Sequence, residues 1–127
     1  MKISSNTAFI WSVVVIGAVA VFSFGGSSGA STENVSIVDG VQTITITAKG
    51  GYLPRTTTAK AGVPSVLKMD TNGTYDCSIA LSIPSIGYRN NLPPQGETLI
   101  DVPAQPTGTK MRGVCSMGMY SFTVNFL

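Results

Sequence analysis

The sequence predicts an all-β domain, a β-sandwich of about seven strands, preceded by one N-terminal transmembrane helix or signal segment. Short runs rich in β-branched residues begin after Glu33, and Gly and Pro separate them at fairly even spacing. No helical pattern of useful length follows Phe24. Such spacing is typical of sandwiches. We therefore divide the chain into residues 1–30, a membrane anchor or signal segment with a Gly/Ser linker, and residues 31–127, the β domain.

The N-terminal segment carries 17 uncharged residues, 8–24, after a single early charge at Lys2. A membrane-spanning helix needs about 20 apolar residues, whereas the apolar core of a signal peptide has roughly 7–15. The small residues Ser28-Gly29-Ala30 suit a cleavage site, so a retained anchor and a cleaved signal both stay open. Either alternative, with Lys2 on the cytoplasmic side, predicts a domain outside the cytoplasm, membrane-anchored or secreted.

The predicted strands follow from alternation and turn residues. Asp39-Gly40 between two β-branched runs is the signal for a two-residue hairpin. Residues 77–83 alternate, which places 77, 79, 81 and 83 on one face of a strand. The other predicted strands are 35–38, 41–47, 56–61, 66–70, 98–102 and 120–127, whereas 50–54 is predicted to be a turn and 85–96 a long connection.

Composition excludes several functional classes. The chain has no histidine, which rules out imidazole metal sites and a Ser-His-Asp triad. Its basic residues are scattered, so it lacks the basic patch of a nucleic-acid-binding protein. We expect a binding protein rather than an enzyme.

The segment Cys115-Ser116-Met117-Gly118-Met119 carries the chemistry. It has sulfur at every second position, and an extended backbone would place all three sulfurs on one side. Thiolate and thioether are soft donors that favour copper as Cu(I). Cys77, the other cysteine, completes the set if the fold brings it alongside. The predicted metal ligands are therefore Cys77, Cys115, Met117 and Met119.

Simpler interpretations of these residues stay open. Cys77 and Cys115 suffice for one disulfide, which small exported domains often use. The alternative for Met117 and Met119 is that they fill the core, the role that we expect for Met69 and Met111. Asp76, beside Cys77, is expected to be a solvated charge.

Residues 41–127 resemble cupredoxin-like domains. The resemblance is carried by Gly50-Gly51-Tyr52-Leu53-Pro54, by residues 92–98 (LPPQGET) and by residues 115–120 (CSMGMY). It is closest to small membrane-linked cupredoxin domains of copper transport and resistance systems, which carry a Cys-x-Met-x-Met loop. It implies a Greek-key sandwich that binds copper at one end, between Cys77 and the C-terminal loop. It also implies a copper transporter or other copper-handling protein as partner.

Two departures from ordinary blue-copper proteins change the expected chemistry. Cys77 stands where such proteins have a histidine, and Met117 lies nearest the second histidine in order. Two thiolates and two thioethers favour Cu(I) and disfavour rapid Cu(I)/Cu(II) cycling. Holding or transferring Cu(I) is therefore the first hypothesis. An electron-transfer cupredoxin with a modified copper centre and a disulfide-stabilised domain without metal are the alternatives.

Overall fold

A computed structural model describes residues 31–127, which form ten strands in two sheets. The predicted anchor or signal segment lies outside the described residues. Within residues 31–127 no helix has the length and apolar character needed to cross a bilayer. The strands are β1 Val35–Val38, β2 Val41–Ala48, β3 Tyr52–Leu53, β4 Thr56–Ala59, β5 Ser65–Thr71, β6 Ala80–Ile83, β7 Tyr88–Asn91, β8 Gly96–Val102, β9 Lys110–Cys115 and β10 Ser121–Phe126.

Each sheet contains one parallel pair among antiparallel ones. The first sheet has the order β1-β2-β5-β8, with β3 also paired to β2, and its parallel pair is β2 with β5. The second has the order β4-β10-β9-β6-β7, and its parallel pair is β4 with β10. The prediction of an all-β domain is therefore confirmed.

The core lies between the two sheets. Strand β2 alternates buried and less buried residues, as expected for a strand with one face on a core. The side chains that meet there come from both sheets and include Ile44, Ile46, Leu67 and Met69 from the first and Met111, Phe122, Val124 and Phe126 from the second. Met69 and Met111 are fully buried, which confirms their predicted role as core residues.

The hairpin predicted at Asp39-Gly40 is present. Asp39 and Gly40 have φ of 53° and 78°, and β1 pairs with β2 directly across them. Positive φ at both central residues is the type I′ geometry that matches the twist of the strands.

Three predicted elements were wrong. Residues 31–127 form ten strands rather than about seven, because β3 lies inside the predicted 50–54 turn, β7 lies inside the predicted 85–96 connection, and β9 lies before the loop 116–120, where no strand was predicted. Residues Cys77–Ile79 form a 3₁₀ turn, so the strand predicted over 77–83 begins only at Ala80. The side chain of Asp76 caps that turn, which gives the backbone a local alternative to the sheet ladder.

The two ends of the sandwich differ in what they hold. The end that we call the sulfur end holds residues 49–51, residues 72–79 and the loop 116–120, which meet through contacts such as Gly50 with Asp76 and Gly51 with Tyr120. The opposite end, the far end, holds the Asp39-Gly40 hairpin, Lys60 and Leu127. There Gln42 bonds to Lys60, and the amide of Ala61 donates to the carbonyl of Leu127.

Candidate metal centre

Cys77 and Cys115 are joined in a disulfide at the sulfur end. Their Cα atoms are 5.9 Å apart, although 38 positions separate them in sequence. Cys77 opens the 3₁₀ turn before β6, and Cys115 ends β9, which pairs with β6 through Leu81 opposite Cys115. The fold therefore brings the two cysteines together, in the bonded form that the sequence left open.

The loop after Cys115 is a tight turn. The amide of Gly118 donates to the carbonyl of Cys115 at 2.8 Å, and the amide of Cys115 donates to the carbonyl of Tyr120 at 3.0 Å. Gly118 has φ of 72°, a backbone conformation that glycine adopts without steric cost. The segment is therefore a turn and not extended, so the condition under which the three sulfurs would lie on one side is not met.

This turn separates the sulfurs by burial. Cys115 is fully buried, whereas the side chains of Met117 and Met119 are 73% and 64% exposed. The alternative that these methionines fill the core is therefore wrong. Exposure leaves both thioethers free of a packing role and accessible to a soft ion.

Asp76 positions the turn that carries Cys77. Its Oδ1 accepts from the amide and the hydroxyl of Ser78, and its Oδ2 accepts from the amide of Gly50 at 2.7 Å. These bonds, those from Ser78 first, lower the pKa of Asp76 below its ordinary value of 3.8. The expectation of a merely solvated charge was wrong. The sequence signal was an Asp two residues before a Ser, the spacing of a local side-chain cap.

Tyr52 supports the same turn from the core, a role that sequence reasoning missed. It is 2% exposed, and its hydroxyl donates to the carbonyl of Ser78 at 2.9 Å. Burial, with a smaller contribution from the nearby Asp76 charge, raises the pKa of Tyr52 to about 12. The neutral form is therefore stabilised by folding. The contribution of neutral Tyr52 to the free energy of unfolding is complete below pH 10.0, the ordinary pKa of tyrosine, and is lost as the pH rises toward about 12.

Tyr120 connects the sulfur loop to the turn after β2. A Cβ built on Gly51 would lie 3.4 Å from the Tyr120 ring, and Gly51 has φ of 124°. The ring therefore packs directly over the glycine backbone. The amide of Tyr120 also donates to Sγ of Cys115 at 3.4 Å. These contacts fix the base of the loop, while its methionines stay exposed.

The donor set determines which ion suits this end. Residues 31–127 contain no group of three or more His, Cys, Asp or Glu side chains that could hold a metal ion, so a hard cation has no carboxylate cage there. In the disulfide form the available donors are the two thioethers. Reduction would add two thiolates, and the resulting four sulfurs suit a soft monovalent ion.

Comparisons with known proteins show where this fold occurs. No protein-family model and no curated protein matches the sequence. The metal binding domain of the Cu(I) exporting P-type ATPase CopA of Streptococcus pneumoniae D39, solved with Cu(I), aligns with a TM-score of 0.68 and 20% identity, over 80% of this chain and 99% of that domain. A copper binding protein, solved by NMR in its apo form, aligns with a TM-score of 0.68 and 22% identity, over 76% of this chain and 98% of that one. The chain thus shares its fold with copper-binding domains.

Proposed function

We propose that this chain is a copper-handling protein whose β domain is a Greek-key, cupredoxin-like sandwich that holds Cu(I) through sulfur. The ligands are Cys77 and Cys115 in their reduced form, with Met117 and Met119. One observation carries the proposal: the two cysteines lie beside a loop whose methionines are 73% and 64% exposed and contribute nothing to the core. Soft donors gathered at one end of a rigid scaffold suit a soft ion.

Copper binding then depends on the redox state of the cysteines. The disulfide takes up two electrons and two protons from a dithiol reductant, which is itself oxidised to a disulfide, and yields two thiols. Cu(I) binds as the thiols lose their protons, since the thiolate is the metal ligand. The oxidised protein retains only thioether donors and is expected to bind Cu(I) weakly.

The sequence and the two structural neighbours support the setting that we propose for this function. Both neighbours are copper-binding domains, one of them part of a copper-exporting ATPase. We extend to this chain a role as a binding protein, not an enzyme, whose partner is a copper transporter or another copper-handling protein. The proposal also places the domain on the extracytoplasmic side, tethered by residues 1–30.

A second candidate function is favoured by the disulfide itself. Oxidised Cys77 and Cys115 link the 3₁₀ turn to β9, as in a disulfide-stabilised domain that binds no metal. This candidate gives no account of the two exposed methionines, so we place it second.

Anaerobic Cu(I) titration of the full chain against a chromogenic Cu(I) chelator tests the proposal. The reduced protein is expected to take copper from the chelator without colour of its own, and the oxidised protein to take far less. Cys115→Ser should abolish tight binding, and Met117→Leu/Met119→Leu should weaken it. Met111→Leu, at a buried methionine of the same domain, is the matched control and should bind normally.

Each alternative has a distinct outcome in that titration. No copper uptake by the fully reduced protein would favour the metal-free domain. A stable blue or purple colour with Cu(II) would favour electron transfer through a modified centre, because such colour requires a Cu(II) thiolate that persists.

A further inference from the structure

The sulfur end exposes a mixed apolar and cationic surface. Four large side chains project there, Leu53, Tyr75, Met117 and Met119, with exposures of 63%, 82%, 73% and 64%. Lys49 and Arg55 line one cavity together with Met119 and Tyr120. We call these four side chains and two cations the sulfur-end surface.

The two cations of this surface are free of ion pairs among residues 31–127, where the salt bridge is Lys68 with Glu97. The nearby carboxylate of Asp76 accepts hydrogen bonds from Ser78 and Gly50, and within residues 31–127 it forms no ion pair with Lys49 or Arg55. A Cβ built on Gly73 would lie 4.0 Å from Nζ of Lys49, which places that ammonium beside the loop that carries Tyr75. Positive charge therefore lies among exposed aromatic and thioether side chains.

The path of the chain gives a second, independent observation. Ser31 forms a parallel bridge with Thr57: its amide donates to the carbonyl of Thr56, and its carbonyl accepts from the amide of Thr58, both at 2.9 Å. Strand β4 runs parallel to β10, which starts at the sulfur loop and leads away from it. The chain therefore enters the domain from the side of the sulfur end.

Only six residues, 25–30, separate the predicted apolar segment from Ser31. At full extension such a linker spans at most roughly 22 Å, which holds the domain close to a bilayer. A tether this short, entering from the sulfur-end side, favours orientations in which that end faces the membrane.

We propose that the sulfur-end surface docks on the membrane, with Lys49 and Arg55 against anionic lipid headgroups and the four exposed side chains in the interfacial region. Cations together with exposed apolar and aromatic side chains are the chemistry of interfacial membrane binding. The inference rests on the membrane tether of the proposed function and is independent of copper. It places Met117 and Met119 at the level of the bilayer surface. The entrance of a membrane-embedded copper transporter, the partner proposed above, would lie at the same level.

The far end is the alternative contact surface. It exposes the apolar side chains of Ile37, Val38, Val41 and Leu127 at 48%, 66%, 40% and 66%, and the exposed lysines Lys60 and Lys110 lie toward it. The path of the chain decides against it, because the chain enters the domain from the other side. Asp39, at the tip of the hairpin between Val38 and Val41, would in addition repel an anionic headgroup.

Tryptophan quenching in nanodiscs tests the orientation with the full chain. Trp11→Phe removes the native tryptophan, and a single new one is then introduced by Tyr75→Trp, the sulfur-end reporter, or by Val38→Trp, the far-end reporter. Co-elution with the nanodisc verifies the tether in each sample. With brominated phosphatidylcholine and phosphatidylglycerol, the sulfur-end reporter is expected to be quenched strongly and the far-end reporter little.

Charge reversal supplies the matched comparison. Each cation near an anionic surface is worth about a factor of five, so Lys49→Glu/Arg55→Glu should reduce the docked-to-free ratio given by the sulfur-end reporter by at least roughly tenfold. Lys60→Glu/Lys110→Glu, which changes two exposed lysines toward the far end by the same charge, should leave it unchanged.

The outcomes separate this inference from the proposed function. Equal quenching of the two reporters, or none in co-eluting protein, overturns membrane docking, whatever the copper titration gives. Quenching of the sulfur-end reporter that does not respond to phosphatidylglycerol or to Lys49→Glu/Arg55→Glu also overturns it. A further outcome would assign the surface to a protein partner instead. In that case the quenching of the sulfur-end reporter does not respond to anionic lipid and is lost when an acidic protein is added.

Discussion

At the scale of single residues, Asp76 links the two halves of the candidate site. One carboxylate oxygen caps the turn of Cys77, and the other binds the amide of Gly50, next to the glycine on which Tyr120 packs. The position of Cys77 and the base of the sulfur loop therefore share one carboxylate. Because its hydrogen bonds stabilise the charged form, they also lower the pKa of Asp76.

Asp76→Ala is expected to lower the free energy of unfolding by about 1–2 kcal/mol at pH 7, the usual cost of losing a side-chain cap. Since the pKa of Asp76 is lower in the folded protein than its ordinary 3.8, its contribution is present above that value and is lost as pH falls through the folded pKa. Urea unfolding followed by circular dichroism between pH 2 and 7 measures both effects. Asp76→Asn, which keeps an acceptor without the charge, is the control. Parallel pH profiles for wild type and Asp76→Ala would contradict the assignment.

At the scale of elements, the hairpin of β9 and β10 positions the sulfur loop. Gly113 lies directly opposite Phe122 in this pair, and Phe122 also contacts Tyr52 edge to face at a centroid distance of 5.1 Å. A Cβ on Gly113 would overlap the Phe122 ring. The Phe122 ring therefore occupies the space that a side chain at position 113 would need, on the hairpin that leads to Cys115 and away from Tyr120.

Gly113→Ala is therefore expected to destabilise the domain by about 1–3 kcal/mol, the usual cost of overpacking a core. The effect should depend on the opposing ring, so Gly113→Ala combined with Phe122→Leu should be less destabilised than the sum of the two single changes. Urea unfolding of the four proteins in this cycle gives the coupling energy. Additive effects within about 0.5 kcal/mol would show that the ring is not the cause.

Elements with a local cause could be predicted from the sequence, whereas those determined by distant partners could not. Asp39-Gly40 determined its own hairpin because both residues tolerate positive φ. β7 was missed because Tyr88–Asn91 has no β-branched residue and lies at a sheet edge, where pairing with β6 supplies the order. The alternation of sulfur-containing residues over 115–119 indicated a set of soft metal donors, but it did not indicate the backbone conformation of the segment. Gly118, with its positive φ, turns the chain after Cys115. That Cys77 meets Cys115 depends on strand order, which no local pattern encodes.

At the scale of the whole molecule, the disulfide closes a loop of 38 positions that includes β6, β7, β8 and β9. Strand β8 belongs to the first sheet and β6 to the second, so the closed loop crosses between the sheets. Cleavage of the disulfide therefore raises the conformational entropy of an unfolded segment that contributes strands to both sheets, which affects the stability of the whole sandwich. The same cleavage releases the two thiols that the proposed Cu(I) site requires, which couples folding stability to copper binding.

Reduction is expected to lower the free energy of unfolding by about 4 kcal/mol, the loop-closure entropy for a loop of this length. Cu(I) should then restore about 2.7 kcal/mol to the reduced protein when free copper exceeds the dissociation constant a hundredfold, because it binds the folded state. Urea unfolding with and without reductant, and with and without buffered Cu(I), measures both terms. The control Cys77→Ser/Cys115→Ser should resemble the reduced protein but gain little from Cu(I), because it retains only the thioethers. Equal stabilisation of the oxidised and reduced proteins by Cu(I) would show that the methionines alone hold the ion and that the cysteine pair serves only the fold.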